Sequence, residues 1–89
     1  MRKPNFTKQF EKDLKRMRKR GKNLQKLNMI MRELIAENPL EKQYKDHILI
    51  GNYKGRRECH LEPDWLLIYK PEGDEITFER TGTHSDLFE

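Results

Sequence analysis

The sequence predicts an α+β domain spanning residues 1–89, in which an N-terminal edge strand and a helical hairpin pack on a small antiparallel sheet. Three observations carry that expectation. Apolar residues recur at helical spacing through the first third of the chain; from Arg56 onward they alternate or run together; and Pro, Gly and Asp punctuate this second stretch into turns. A length of 89 residues suits one domain, and 34% hydrophobic against 38% charged residues implies a thin core that a partner would help to stabilise.

The elements follow in order. Arg2 to Phe6 is short and contains Pro4, which lacks a ladder N–H, so it is expected at a sheet edge. Thr7 is placed to cap a helix in which Phe6, Phe10, Leu14 and Met17 recur at spacings of three and four, opposite a face of lysines and arginines. Gly21 breaks that pattern. A second helix carries Leu24, Leu27, Ile30, Met31, Leu34 and Ile35 on one stripe and stops at Asn38 and Pro39, and the short link makes the pair an antiparallel hairpin. From Pro39 to Asn52 no period holds, which predicts a loop. Arg56 to Glu62 alternates, with Cys59 and Leu61 on one face and Arg56, Glu58, His60 and Glu62 on the other. Pro63 and Asp64 make a turn, and Trp65 to Tyr69 is an apolar run suited to a central strand. Pro71 to Asp74 makes a second turn, after which Ile76 to Thr81 forms a last antiparallel strand ending at Gly82. The helical hairpin then covers one sheet face and leaves the other free.

Charge is divided between the halves. Residues 1–34 carry a net +9 and residues 35–89 a net −5, within a total of +4. A basic segment of this density is the footprint of a polyanion binder, with RNA, DNA and the ribosome all eligible, although solvating a helix is the plainer use of the same lysines. The lone Cys59 cannot form an internal disulfide, and no closely spaced Cys and His set suggests zinc, so a reducing cytosol is expected. No apolar h-region follows the basic N-terminus and no apolar stretch approaches the roughly 20 residues of a membrane span.

His47, His60 and His84 lie in the loop before the sheet, on its first meander strand and just after its last, so one sheet end could gather all three. Singly, each is more ordinary as a polar surface residue. Together they suit RNA cleavage. There the 2′-hydroxyl is the nucleophile, and imidazole, with an unperturbed pKa of about 6.5, can act as base or as acid near neutrality. Asp64 is a candidate either to orient a histidine or to share the role of base. Arg80 offers a donor fork for phosphate, Trp65 and Phe88 offer rings for stacking on bases, and core packing is the plainer use of Trp65. Metal ligation is the competing use of three histidines and a carboxylate, but no pair has the short helical spacing of a zinc site, so neither metal nor other cofactor is expected.

Three stretches, Tyr44 to His47, Glu58 to Lys70 and Phe78 to Phe88, resemble the signature blocks of the YafQ branch of the RelE/ParE toxin superfamily over nearly the whole chain. The resemblance implies a RelE-like fold and a ribosome-dependent messenger-RNA endonuclease that cuts within the A site and is neutralised by a co-expressed DinJ-like antitoxin. It implies catalytic roles for His47, His60, Asp64 and His84, with His84 as acid, His60 assisted by Asp64 as base, and His47 orienting substrate or stabilising charge. Arg80, Trp65, Phe88 and Glu58 fall at the surrounding substrate-binding positions, Glu58 standing where the branch has Asp. Operator DNA would be contacted only through the antitoxin complex, since no DNA-reading motif is present. Two rivals stand beside this expectation: a ParE-like toxin acting on DNA gyrase, and a basic RNA-binding module without catalysis, which dispersed histidines would favour.

Overall fold

In the computed structural model, which describes residues 1–49, 51 and 54–88, the elements run β1 (Lys3–Phe6), α1 (Lys8–Lys19), α2 (Leu24–Ile35), a 3-10 turn (Lys42–Tyr44), β2 (His47–Ile48), β3 (Arg57–Glu62), β4 (Trp65–Glu72), β5 (Glu75–Gly82) and α3 (His84–Phe88). The Thr7 hydroxyl accepts from the Phe10 N–H and starts α1 as its position predicts. Asn23 caps α2 in the same way through the Gln25 N–H. Between the helices Gly21 takes φ +78°, a conformation that strains any residue with a Cβ, while its N–H and that of Lys22 close onto the carbonyls of Arg18 and Met17.

The sheet has five strands in the order β1-β5-β4-β3-β2. It is mixed rather than wholly antiparallel, because β1 pairs with β5 in parallel, Phe6 opposite Phe78. Pairing between segments some 70 residues apart leaves no local trace, so only the edge position of β1 was visible in the sequence. The stretch expected as a loop after Pro39 holds the 3-10 turn and the two-residue strand β2, too short to show any period; Ile50, Asn52 and Tyr53 at its end lie outside the described residues. Strand β4 also outruns its expected end at Tyr69, reaching Glu72, and the turn into β5 centres on Gly73 at φ +60°.

The main core lies between helices and sheet, where Phe10, Met17, Leu27, Ile30 and Leu34 meet Cys59, Leu61, Trp65, Leu67, Tyr69, Ile76 and Phe78. Leu66 and Ile68, the alternate residues of β4, face the other way and are covered by Leu87 of α3 and by Leu49. That second face is therefore not free, as α3 lies on part of it. A five-residue helix is below the length at which an apolar period can be recognised. Among the described residues no helix is long and apolar enough to cross a membrane.

Candidate active site

Strand pairing gathers the three histidines. One row of paired residues across the sheet runs His47, Glu58, Ile68, Arg80, and a second, two residues along β3, runs His60, Leu66, Gly82. Glu58 and His60, two apart on β3, share a face, and His84 opens α3 just beyond Gly82. The ring centroids of His47 and His60 lie 5.9 Å apart, as do those of His60 and His84. That spacing lets neighbouring rings reach one scissile group from two sides, as acid–base work needs.

Two histidine–carboxylate pairs stand side by side. Glu58 is 5% exposed, and its Oε1 is 3.3 Å from His60 Nε2 and 3.4 Å from His47 Nε2. A carboxylate this buried needs partners, and the two rings supply them. His47 Nδ1 lies 2.6 Å from the Lys45 carbonyl, which only accepts, so that nitrogen carries a proton.

Asp64 serves His84 rather than His60. Its Oδ1 accepts from the His84 backbone N–H at 2.9 Å and lies 2.6 Å from His84 Nδ1. Those bonds, the backbone one foremost, hold the Asp64 carboxyl below the ordinary carboxylate range. They also anchor Nδ1 and leave Nε2 as the nitrogen available for proton transfer. The expected His60–Asp64 couple is thus replaced by His60–Glu58, because the turn carrying Asp64 sits beside the end of β5, where α3 begins.

The expected binding residues separate into three cases. Trp65 is fully buried on the helix side and its Nε1–H donates to Thr81 Oγ1 at 2.9 Å, so the reading of this ring as a base-stacking platform is corrected to core packing. Arg80 turns toward α1, its Nε and Nη2 reaching Asp13 at 2.8 and 3.3 Å and Nη2 reaching the Asp86 carbonyl at 3.4 Å. Phe88 is 45% exposed with its ring centroid 6.3 Å from that of His84, in place to meet a substrate.

Two residues that sequence reasoning missed hold this arrangement. Asp13 is fully buried and also accepts from the Thr81 N–H at 3.1 Å. Its signal was an acid placed between Phe10 and Met17 on the apolar stripe of α1. Asp86 accepts from Arg20 at 2.6 and 3.1 Å and from the Thr83 N–H at 2.9 Å, while Arg16 approaches to 3.3 Å. The Arg20 guanidinium holds its carboxyl well below the usual range. The Asp86 N–H in turn donates to Thr83 Oγ1, a reciprocal cap whose spacing, Thr83 to Asp86, is legible in the sequence. Gly82 permits this closure: a Cβ there would lie 2.8 Å from Asp86 Oδ2 and 2.9 Å from its Cβ.

Strand pairing also assembles what residue spacing argued against. Ligand atoms of His47, Glu58 and His60 all lie within 4.8 Å of one another, a set able to hold a metal ion. The ligands come from adjacent strands, so no short sequence motif announces them.

Residues 2–89 match the family described as bacterial toxin of type II toxin-antitoxin system, YafQ. The chain is 49% identical to the mRNA interferase toxin YafQ of Escherichia coli K12, covering 93% of this chain and 91% of the relative. Its structure resembles one from the E. coli DinJ-YafQ complex at TM-score 0.94 and 47% identity, covering all of both chains. It likewise resembles a metal-bound toxin from Helicobacter pylori at TM-score 0.93 and 42% identity, covering 99% of this chain and all of the other. The chain belongs to the YafQ family of bacterial type II toxin-antitoxin toxins.

Proposed function

We propose that this chain is the toxin of a type II toxin-antitoxin pair, an endoribonuclease that cleaves translated messenger RNA on the ribosome. The observation that carries the reading is the pair of histidine–carboxylate couples, His60–Glu58 and His84–Asp64, with their rings 5.9 Å apart. RNA brings its own nucleophile, so the protein has only to move two protons and stabilise charge at phosphorus. His60, its Nε2 engaged by Glu58, takes the 2′-hydroxyl proton. The 2′-oxygen bonds to phosphorus as the bond to the 5′-oxygen breaks, and His84 Nε2 protonates that departing oxygen, leaving a 2′,3′-cyclic phosphate. His47, its ring 5.9 Å from that of His60, is placed to orient the substrate beside the phosphate, and Phe88 offers its ring to a base.

The exposed lysines of α1 suit ribosomal RNA and an acidic segment of a DinJ-like antitoxin, with operator DNA contacted through that complex. Residues 1–89 act as one domain in the cytoplasm, where translation takes place. A ParE-like action on gyrase has no chemical use for two histidine–carboxylate couples.

A second reading concerns metal. His47, Glu58 and His60 offer two imidazoles and a carboxylate, a donor set suited to copper, nickel or zinc. A cation there would occupy nitrogens that cleavage needs, so it would inhibit: micromolar copper should suppress cutting and a chelator should restore it.

The deciding experiment is primer extension on messenger RNA from cells briefly expressing the chain, beside His60→Ala and His84→Ala controls at equal levels. Cuts confined to translated regions and absent from both variants are expected. Growth arrest with intact messenger, or cuts that survive both substitutions, would overturn the proposal.

A further inference from the structure

A cleft of about 400 Å³ opens beside His60, which forms part of its wall. Lys26 of α2, Gln43 and Tyr44 of the 3-10 turn and Lys45 just after it are in the lining, with Leu61 and Glu62 at the end of β3 and Pro63 beyond it. Its charge is one-sided. The Glu62 carboxylate is neutralised by Lys22 at 3.0 Å, whereas among the described residues neither Lys26 nor Lys45 has a carboxylate partner. Two ammonium groups without a carboxylate partner in one lining make a site for an anion, and the Tyr44 ring in the same lining adds a surface on which a base can lie. Tyr44 is half-buried against the core, which fixes it from behind.

Lys45 ties the cleft to the catalytic group. It holds φ +47°, a left-handed conformation that is uncommon and strained for a residue other than glycine, and in that conformation its carbonyl receives His47 Nδ1. The backbone that shapes the cleft therefore also sets one of the three rings. An RNA strand with its scissile phosphate at His60 must continue in some direction, and this cleft adjoins that histidine.

We propose that the cleft is a subsite for a nucleotide flanking the cleaved phosphodiester, with Tyr44 stacking on its base and Lys26 and Lys45 holding its phosphate. The inference rests on the ribonuclease reading above and adds that cutting depends on the identity of a neighbouring base. The phosphate contact carries no sequence information, so any base preference arises at Tyr44 and Gln43.

The test uses the full chain with Lys26→Gln and Tyr44→Leu, each checked by thermal melting, and a 2′-deoxy tetranucleotide that cannot be cut. Expected are amide shifts at residues 26 and 44 on titration, affinity lowered by about tenfold in each variant, a KM-weighted loss in ribosome-dependent cleavage, and an altered distribution of cut sites. His60→Ala should instead abolish cutting. Folded variants that bind the tetranucleotide and cut with wild-type distribution would overturn the subsite while leaving histidine-dependent cleavage standing. Absence of shifts at residues 26 and 44 at millimolar oligonucleotide would overturn it too. A loss of antitoxin affinity alone would overturn it in favour of a protein-docking groove. Cutting that persists in His60→Ala would instead sink the catalytic reading.

Discussion

Asp13→Ala should be among the most destabilising single changes in this chain. The carboxylate is fully buried and accepts from Arg80 Nε at 2.8 Å, from the Thr81 N–H at 3.1 Å and from Gln9 at 3.1 Å. Alanine removes the side-chain acceptor of a buried N–H and the carboxylate partner of a guanidinium that is 23% exposed. Breaking a buried pair by removing one member costs about 3–5 kcal/mol, a large part of the roughly 5–15 kcal/mol that holds a domain together. Each kcal/mol moves the midpoint of a domain this size by about 4–8 °C, so the melt should fall by at least ~12 °C. The assay is thermal and urea unfolding of the full chain followed by far-ultraviolet circular dichroism. Asp13→Asn, which can still accept from Thr81, should lose less. An Asp13→Leu, Arg80→Leu double variant should lose less than Asp13→Leu alone, because both charges leave together. A drop below about 1 kcal/mol for Asp13→Ala would refute the claim that this carboxylate fastens α1 onto β5.

Gly82→Ala should push Asp86 aside and shift α3, lowering cleavage by about 10- to 100-fold through misplacement of His84; unchanged cleavage in a ribosome-dependent assay would show that α3 absorbs the methyl group. Trp65→Phe loses the bond to Thr81 and should cost about 1–2 kcal/mol in urea unfolding with cleavage by the folded protein intact, whereas lost cleavage at unchanged stability would return this ring to the substrate surface. Asp64 and Asp86 titrate below their unfolded values, so the stability they contribute is fully present above about pH 4 and is lost as pH falls through their folded values. Melting midpoints should therefore decline below that pH with a shallower slope in Asp86→Asn, and identical slopes would show that Asp86 is not the group responsible.

What the sequence revealed and what it hid divide along a physical line. Both helices, the Thr7 cap and the alternation of β3 are local patterns, carried by residues within one or two turns of each other. The histidine set was legible as residue types, and the family resemblance named the same positions. Their pairings were not, because Glu58 meets His47 only through the β2–β3 ladder and Asp64 meets His84 only through the end of β5. Trp65 illustrates the ambiguity of a lone large aromatic: composition favours a core and still allows a base, and only the side of β4 from which it projects decides. The parallel pairing of β1 is non-local in the same sense.

Counting charges also overstated the docking surface of the basic half, and correcting the count alters its meaning. Arg16 and Arg20 are turned to Asp86, and so brace the segment that carries His84. Lys22 is engaged by Glu62 and lies over the Trp65 ring at 5.7 Å. What α1 presents to solvent is narrower, with Lys8, Lys12, Lys15, Arg18 and Lys19 all exposed. Salt would screen that exposed stripe far more than the partly covered clamp at Asp86. One helix therefore holds two populations of cations with different work: one positions the C-terminal histidine from behind, and the other is open to a polyanion or an acidic partner. A ligand that engages α1 broadly would compete for Arg16 and Arg20 as well as for the lysines, which gives occupation of the helix a direct physical route to the placement of His84.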